Sequence, residues 1–168
     1  RQGDQALAGA TNTASVQHLF AAPAGGTVWF DTYVIADGYA DPTGLVSMTA
    51  AFYFNLSMQL IVSDGIQSGS NRWVSTTNTP VQRGDWVRLT AALDYDAQTW
   101  LICLNGMLVT NNIAFSADVA AFSKLDCVLA NSALDDMTIS TNRPLGLSLD
   151  GDHLPDEWEM QYFGHLVW

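Results

Sequence analysis

A chain of 168 residues with 48% hydrophobic and 11% aromatic content is long enough for one domain with a sizeable core, plus a short appendage, and too apolar to be disordered. Six Lys and Arg stand against 17 Asp and Glu, and the net charge of −11 argues against nucleic acid and anionic membrane surfaces and favours counter-cations, calcium above all. Membrane insertion is also disfavoured, because Asn55, Ser57 and Gln59 interrupt the most apolar region.

Period-two alternation dominates the chain before residue 150, and helical periodicity is nearly absent there. In "TVWFDTYVIA" (27–36), Val28, Phe30 and Val34 oppose Trp29, Asp31, Tyr33 and Ile35. "TAAFYFN" (49–55) sets Ala50, Phe52 and Phe54 on one side, and "MQLIVS" (58–63) does the same with Met58, Leu60 and Val62. In "WVRLTAAL" (86–93), Val87, Leu89, Ala91 and Leu93 share one face, while Trp86, Arg88 and Thr90 share the other. "TWLICLNGMLVT" (99–110) reads as a hairpin, with Asn105-Gly106 in a type I′ turn. "DGYADPTG", "SDGIQSGS", "RGD" and "LDYDAQ" supply further turns, so the pattern predicts an all-β, two-sheet antiparallel β-sandwich or jelly roll. Pro144 and Gly146 close the last strand. The division is therefore a sandwich over 1–146 and an acidic segment over 147–168, in which "PDEWEMQYFG" forms a short helix.

Cys103 and Cys127 lie in apolar runs and read as buried free thiols, or as a disulfide if the chain is exported. The chain begins at Arg1, which suggests a processed chain or an excised fragment.

The stretch "GDWVRLTAALDYDAQTWLICLNGMLV" resembles the central signature of the laminin-G-like, concanavalin-A-like jelly rolls: Gly-x-Trp opens a strand, an Asp-containing turn follows, and an aliphatic strand ends in Asn-Gly. "VWFDTYVIADG" is similar to the early aromatic strand of that family, and "LDDMTIST" to its last strand. The resemblance covers about residues 3–144 and implies a concanavalin-A-like jelly roll with a short C-terminal loop and helix. It implies fold more than function, because such sandwiches host lectins, hydrolases and adhesion modules alike.

"LDGDHLPDEWE" (149–159) is the most chemical stretch of the sequence. Aligned on an EF-hand-type loop, Glu159 takes the twelfth place, Asp156 the ninth, the Leu154 carbonyl the seventh, Asp152 the fifth, Asp150 the third and Ser148 the first. The segment also resembles the Asp-rich calcium repeats that follow sandwich domains in secreted bacterial proteins, with two departures. Ser148 replaces the first Asp, and His153 replaces the Gly at the sixth place, where φ must be positive. The segment reads either as a weak calcium site or as a solvated acidic linker. Strand alternation assigns Asp135 to the core face with Met137 and Ile139. A carboxylate there must be paired or metal-bound. The resemblance implies an Asp that helps ligate a structural calcium near the sheet edge, and the alternative is a carboxylate that accepts hydrogen bonds from loop amides.

The laminarinase-type members of the fold carry Glu-x-Asp-x-Glu on one strand, but the first glutamate here is Glu157, outside the sandwich. His18, His153 and His165 stand in no catalytic motif. Recognition remains. Trp29, Tyr33, Trp86 and Arg88 fall on strand faces pointing away from the aliphatic core, where rings stack on sugars and polar groups pair with hydroxyls; burial of both indoles under loops is the alternative. The expectation is a non-catalytic module of a larger exported bacterial protein, secreted or at the cell surface and flanked by further domains. It binds a glycan or cell-surface ligand, or acts as a structural spacer or as the accessory domain of a glycoside hydrolase.

Overall fold

The computed structural model describes residues 7–8, 14–19, 25–40, 49–65, 72–76, 81–129 and 131–166. Parts of the "DGYADPTG" and "SDGIQSGS" turns, and the side chain of His18, lie outside the described residues. The strands are β1 (Leu7–Ala8), β2 (Ala14–Leu19), β3 (Thr27–Ile35), β4 (Phe52–Phe54), β5 (Leu60–Asp64) and β6 (Arg72–Ser75), followed by β7 (Trp86–Asp94), β8 (Thr99–Leu104), β9 (Met107–Ala114), β10 (Lys124–Leu129) and β11 (Ala133–Ser140). One helix, α1 (Asp156–Tyr162), follows them.

Alternation decides the architecture, because successive side chains of a strand point to opposite sides of the sheet. In β3, Val28, Phe30, Thr32 and Val34 are buried while Trp29, Asp31, Tyr33 and Ile35 are only partly so. β7 pairs antiparallel with β3 over its whole length, with Val34 opposite Val87, Thr32 opposite Leu89 and Phe30 opposite Ala91. These two strands are the centre of a six-stranded sheet ordered β1-β11-β3-β7-β8-β9. The second layer consists of β4-β5-β6 and the β10-β2 pair. Val28, Leu89, Leu93, Trp100 and Ile102 from the first layer meet Phe54, Leu60 and Val62 from the second in one hydrophobic core. Each such buried side chain contributes about 1.5–3 kcal/mol. The fold is the two-sheet antiparallel sandwich expected from the pattern.

Local signals fix the details. Asn105 and Gly106 both have positive φ, 53° and 86°, as a type I′ turn requires. Gly146 and Gly106 lie so close that a Cβ on Gly106 would meet the Gly146 carbonyl at 2.5 Å. The chain after Gly146 therefore runs against the β8–β9 hairpin. The Ser148 N–H donates to the Gly106 carbonyl at 2.8 Å, and the Leu108 N–H donates to the Ser148 carbonyl at 3.1 Å. Leu147 is fully buried.

Two expectations need correction. In β5 the alternation of Met58, Leu60 and Val62 is not one-sided, since Ile61 and Ser63 are buried too; Ser63 is covered on its own face through a hydroxyl contact with Ser116. In β11 the face assigned to Asp135 is reversed. Asp135 stands opposite Tyr33 and Thr138 opposite Asp31, so three steps along β11 match two along β3. This bulge, with Asp136 at φ 50°, inserts one residue and flips the parity of the strand. Leu134 and Ile139 keep the core face opposite Val34 and Phe30, and Asp135 joins Tyr33 on the outer face. Its carboxylate accepts the Asp136 N–H at 2.9 Å.

Candidate functional site

The outer face of the six-stranded sheet carries Trp29, Asp31 and Tyr33 from β3 beside Ala92, Thr90 and Arg88 from β7. Asp31 organises this face. Arg88 donates to it through Nε at 2.9 Å and through a terminal guanidinium nitrogen at 3.0 Å, and the Thr90 hydroxyl donates to it as well. A two-pronged guanidinium–carboxylate pair of this kind is rigid as well as attractive. The hydrogen bond to Asp31 raises the Arg88 pKa further above its ordinary value, against the opposing effect of burial.

A shallow groove of about 400 Å³ opens over this pair, lined on the sheet by Trp29, Asp31, Arg88, Thr138 and Ser140 and, past the end of β11, by Asn142, Arg143, Pro144 and Leu145. Of the four residues proposed from sequence for ligand contact, the groove therefore brings Trp29 and Arg88 together. Tyr33 faces Arg88 across the strands but does not line the groove. Trp86, 38% exposed, pairs with Ile35 and lies six residues along β3 from Trp29, a separation of about 20 Å at strand spacing. It cannot stack on the same sugar ring as Trp29. The sequence reading missed the side wall, because "TNRPLG" reads there only as the end of the sandwich.

The second site is the acidic loop. Asp150, Asp152 and Glu159 each bring a carboxylate oxygen within 4.8 Å of the others. Oδ2 of Asp150 is buried without a hydrogen-bond partner, and Glu159 is fully buried. Three carboxylates so close repel one another by about 4 kcal/mol per pair in a partly buried setting, so the cluster calls for a counter-charge. The loop backbone turns in on its own side chains. His153 adopts φ 78° at the sixth place, and the N–H groups of Asp152, His153 and Leu154 donate inward to Asp150, Ser148 and Asp152. The Ser148 hydroxyl lies at 3.1 Å from Asp150 and 3.4 Å from Asp152.

Asp156 does something else. One of its oxygens accepts the Leu149 N–H at 2.9 Å and the other accepts Arg143. Both are engaged away from the cluster, so the ninth place of the loop is a structural pin rather than a donor to an ion. Asp135, on the far side of β3 from this loop in the sheet order, is not part of the cluster. The Leu154 carbonyl takes the seventh place by sequence position.

Helix α1 is built the wrong way round for an ordinary amphipathic helix. Asp156 and Glu159 point inward, while Trp158, Met160 and Tyr162 are exposed. Trp158 packs on Tyr162 and Phe163 with ring centroids at 4.7 and 5.4 Å. Inward carboxylates on a helix need a positive partner, and Arg143 supplies one for Asp156. Cys103 and Cys127 are both free thiols in the structure. Cys103 lies on the outer face opposite Thr90, yet is fully buried. Burial pushes its pKa up to about 12.

No protein-family model matches the chain, and no curated protein does at a significant level. Solved structures share its fold. A native heptameric SAP-like pentraxin from Limulus polyphemus superposes with a TM-score of 0.53 at 10% identity, over 88% of this chain and 82% of that one. CG-16, a homodimeric agglutinin from chicken liver, gives 0.50 at 12% identity, over 76% of this chain and 100% of that one. A sialidase gives 0.55 at 12% identity over 76% of this chain, which spans only 14% of the sialidase. The chain thus has the jelly-roll, concanavalin-A-like sandwich fold. No described helix is long and apolar enough to cross a membrane.

Proposed function

We propose that this domain is a non-catalytic carbohydrate-recognition module, acting through the outer face of its six-stranded sheet. The observation that carries the reading is the groove in which the half-buried indole of Trp29 lies beside the Asp31–Arg88 pair and a rim of hydroxyl and amide groups. A ring for the C–H face of a sugar, next to fixed hydrogen-bonding groups, is what a saccharide site needs. Neighbours named as an agglutinin and a pentraxin are in keeping with it. The laminin-G-like motifs and the acidic composition favour a flanking domain of a larger bacterial protein, secreted or at the cell surface, with glycan rather than nucleic acid or membrane as partner.

A divalent cation fits the acidic loop, and calcium fits best because it accepts several hard oxygen donors in flexible geometry. Asp150, Asp152 and Glu159 would hold it, with Ser148 and the Leu154 carbonyl completing the set by their places in the loop. The buried unpartnered oxygen of Asp150 supports this fit. The cation would neutralise the cluster and stiffen the exit of the chain; it takes no part in sugar contact in this reading.

A glycan array, repeated with Trp29→Ala and Trp86→Ala, tests the function. Loss of signal with Trp29→Ala supports the groove. Binding that survives both substitutions moves recognition to the loops, and an array blank for every glycan leaves a structural spacer.

A further inference from the structure

The charges around the groove carry the reading one step further. Among the residues whose side chains are described, each of the four cationic groups sits on an aspartate: Arg83 on Asp37, Arg88 on Asp31, Lys124 on Asp126 and Arg143 on Asp156. Two of these pairs belong to the groove. Asp31 holds Arg88 from the floor, and Asp156, itself buried to 2% exposure, holds Arg143 from behind the wall. Arg143 also donates to the Leu147 carbonyl at 3.3 Å, which fixes it further. An incoming sulfate or carboxylate would meet guanidinium groups whose charge the aspartates already neutralise, and could gain a full ion pair only by drawing one from its aspartate. That would leave a partly or fully buried carboxylate uncompensated, in a molecule whose net charge is already −11. Besides these paired charges, the groove offers uncharged groups: the Trp29 ring, the apolar surfaces of Pro144 and the 74% exposed Leu145, and the hydroxyl and amide groups of Thr138, Ser140 and Asn142.

We infer that the groove selects uncharged saccharide segments and discriminates against anionic glycans, with Asp156 acting as a positioning residue that keeps Arg143 neutralised. The inference rests on the proposed glycan recognition. It makes specificity a matter of built-in repulsion as much as of attraction.

The test is a panel of neutral gluco-, manno-, galacto- and xylo-oligosaccharides, measured beside sialylated, sulfated and uronate-bearing counterparts on the same protein. The expected result is binding to at least one neutral series, with its anionic counterparts at least tenfold weaker, and loss of that binding in Trp29→Ala. Asp156→Asn, checked for folding by circular dichroism, should shift the anionic-to-neutral ratio at least threefold toward the anionic ligand. Because Asp156 is buried, Asn142→Arg provides a second variant at an exposed rim position, adding a cation without an aspartate; it should shift the ratio in the same direction. A wild-type preference for anionic glycans overturns the inference and leaves glycan recognition standing. So does a neutral preference that Trp29→Ala does not touch, or a ratio that neither charge variant moves. Failure to bind any saccharide overturns both.

Discussion

Arg143 and Asp156 tie the groove to the terminal helix: the guanidinium lines the groove on the sheet, and the carboxylate that holds it begins the helix. The stretch 142–145 that lines the groove beyond β11 is thereby fastened from the side of the acidic loop. Gly146 N–H donates to Glu157 in the same sense, and Ser148 bridges to the β8–β9 hairpin. The tail contributes to the shape of the candidate binding face although it adds no strand to the core.

Calcium is expected to bind in the ~10⁻⁴–10⁻³ M range of extracellular modules, because the first donor is a neutral hydroxyl. Titration calorimetry should show this heat for the wild type and not for Asp152→Ala. Ser148→Asp should tighten binding at least tenfold, while lowering stability in chelator, where a fourth carboxylate joins the cluster. No heat from the wild type at millimolar calcium would leave a solvated acidic loop.

His153 holds a positive φ that glycine tolerates without steric cost. His153→Gly should therefore stabilise the loop by roughly 0.5–1 kcal/mol net, the relief of left-handed strain being partly offset by the freer unfolded chain. Equilibrium urea denaturation of the two proteins gives the difference directly. A loss of stability would mean that the imidazole makes a compensating contact.

The proposed boundary at 146 predicts that a chain stopped after Gly146 still unfolds cooperatively, since β11 is complete at Ser140. Its Tm should fall, because the fully buried Leu147 alone is worth about 1.5–3 kcal/mol and the hydrogen bonds to the hairpin are lost as well. A molten product, without a cooperative transition, would place the boundary outside the helix instead.

Alkaline pH should destabilise the fold through two buried groups. Burial raises the Cys103 thiol to about 12 and the Tyr95 phenol to about 12, above their ordinary values of 9.0 and 10.0. Raised folded-state values mean that the folded form holds its protons more tightly. The stabilisation is therefore complete below about pH 9 and is lost as pH climbs toward 12, by on the order of 3 kcal/mol per group. Denaturant midpoints at pH 8 and pH 11 measure the loss, and Cys103→Ala should flatten the part that begins near pH 9. Native Cys103 should also resist alkylation at pH 8.

Much of the fold was legible because its signals are local. Side-chain alternation in β3 and β7 separates Trp29, Asp31, Tyr33, Trp86 and Arg88 from the aliphatic face, and that separation holds in the structure. Asn105-Gly106 specifies its turn through the φ values those two residues accept, and Pro155 with the acids that follow specifies the helix start. Asp150, Asp152 and Glu159 converge because loop spacing dictates it. What the tertiary structure alone decided depends on partners distant in the chain. One bulged residue in β11 moved Asp135 to the opposite face, which no periodicity count can register. Asp156 went to Arg143 rather than to the acidic cluster, because the chain after Gly146 docks on the hairpin and brings that guanidinium within reach. The groove itself combines residues 29, 31, 88, 138, 140 and 142–145, which only strand pairing and the returning tail bring together. Local conformational preference is written residue by residue, whereas the partner of a charge and the cover over a strand are set by which distant surfaces meet.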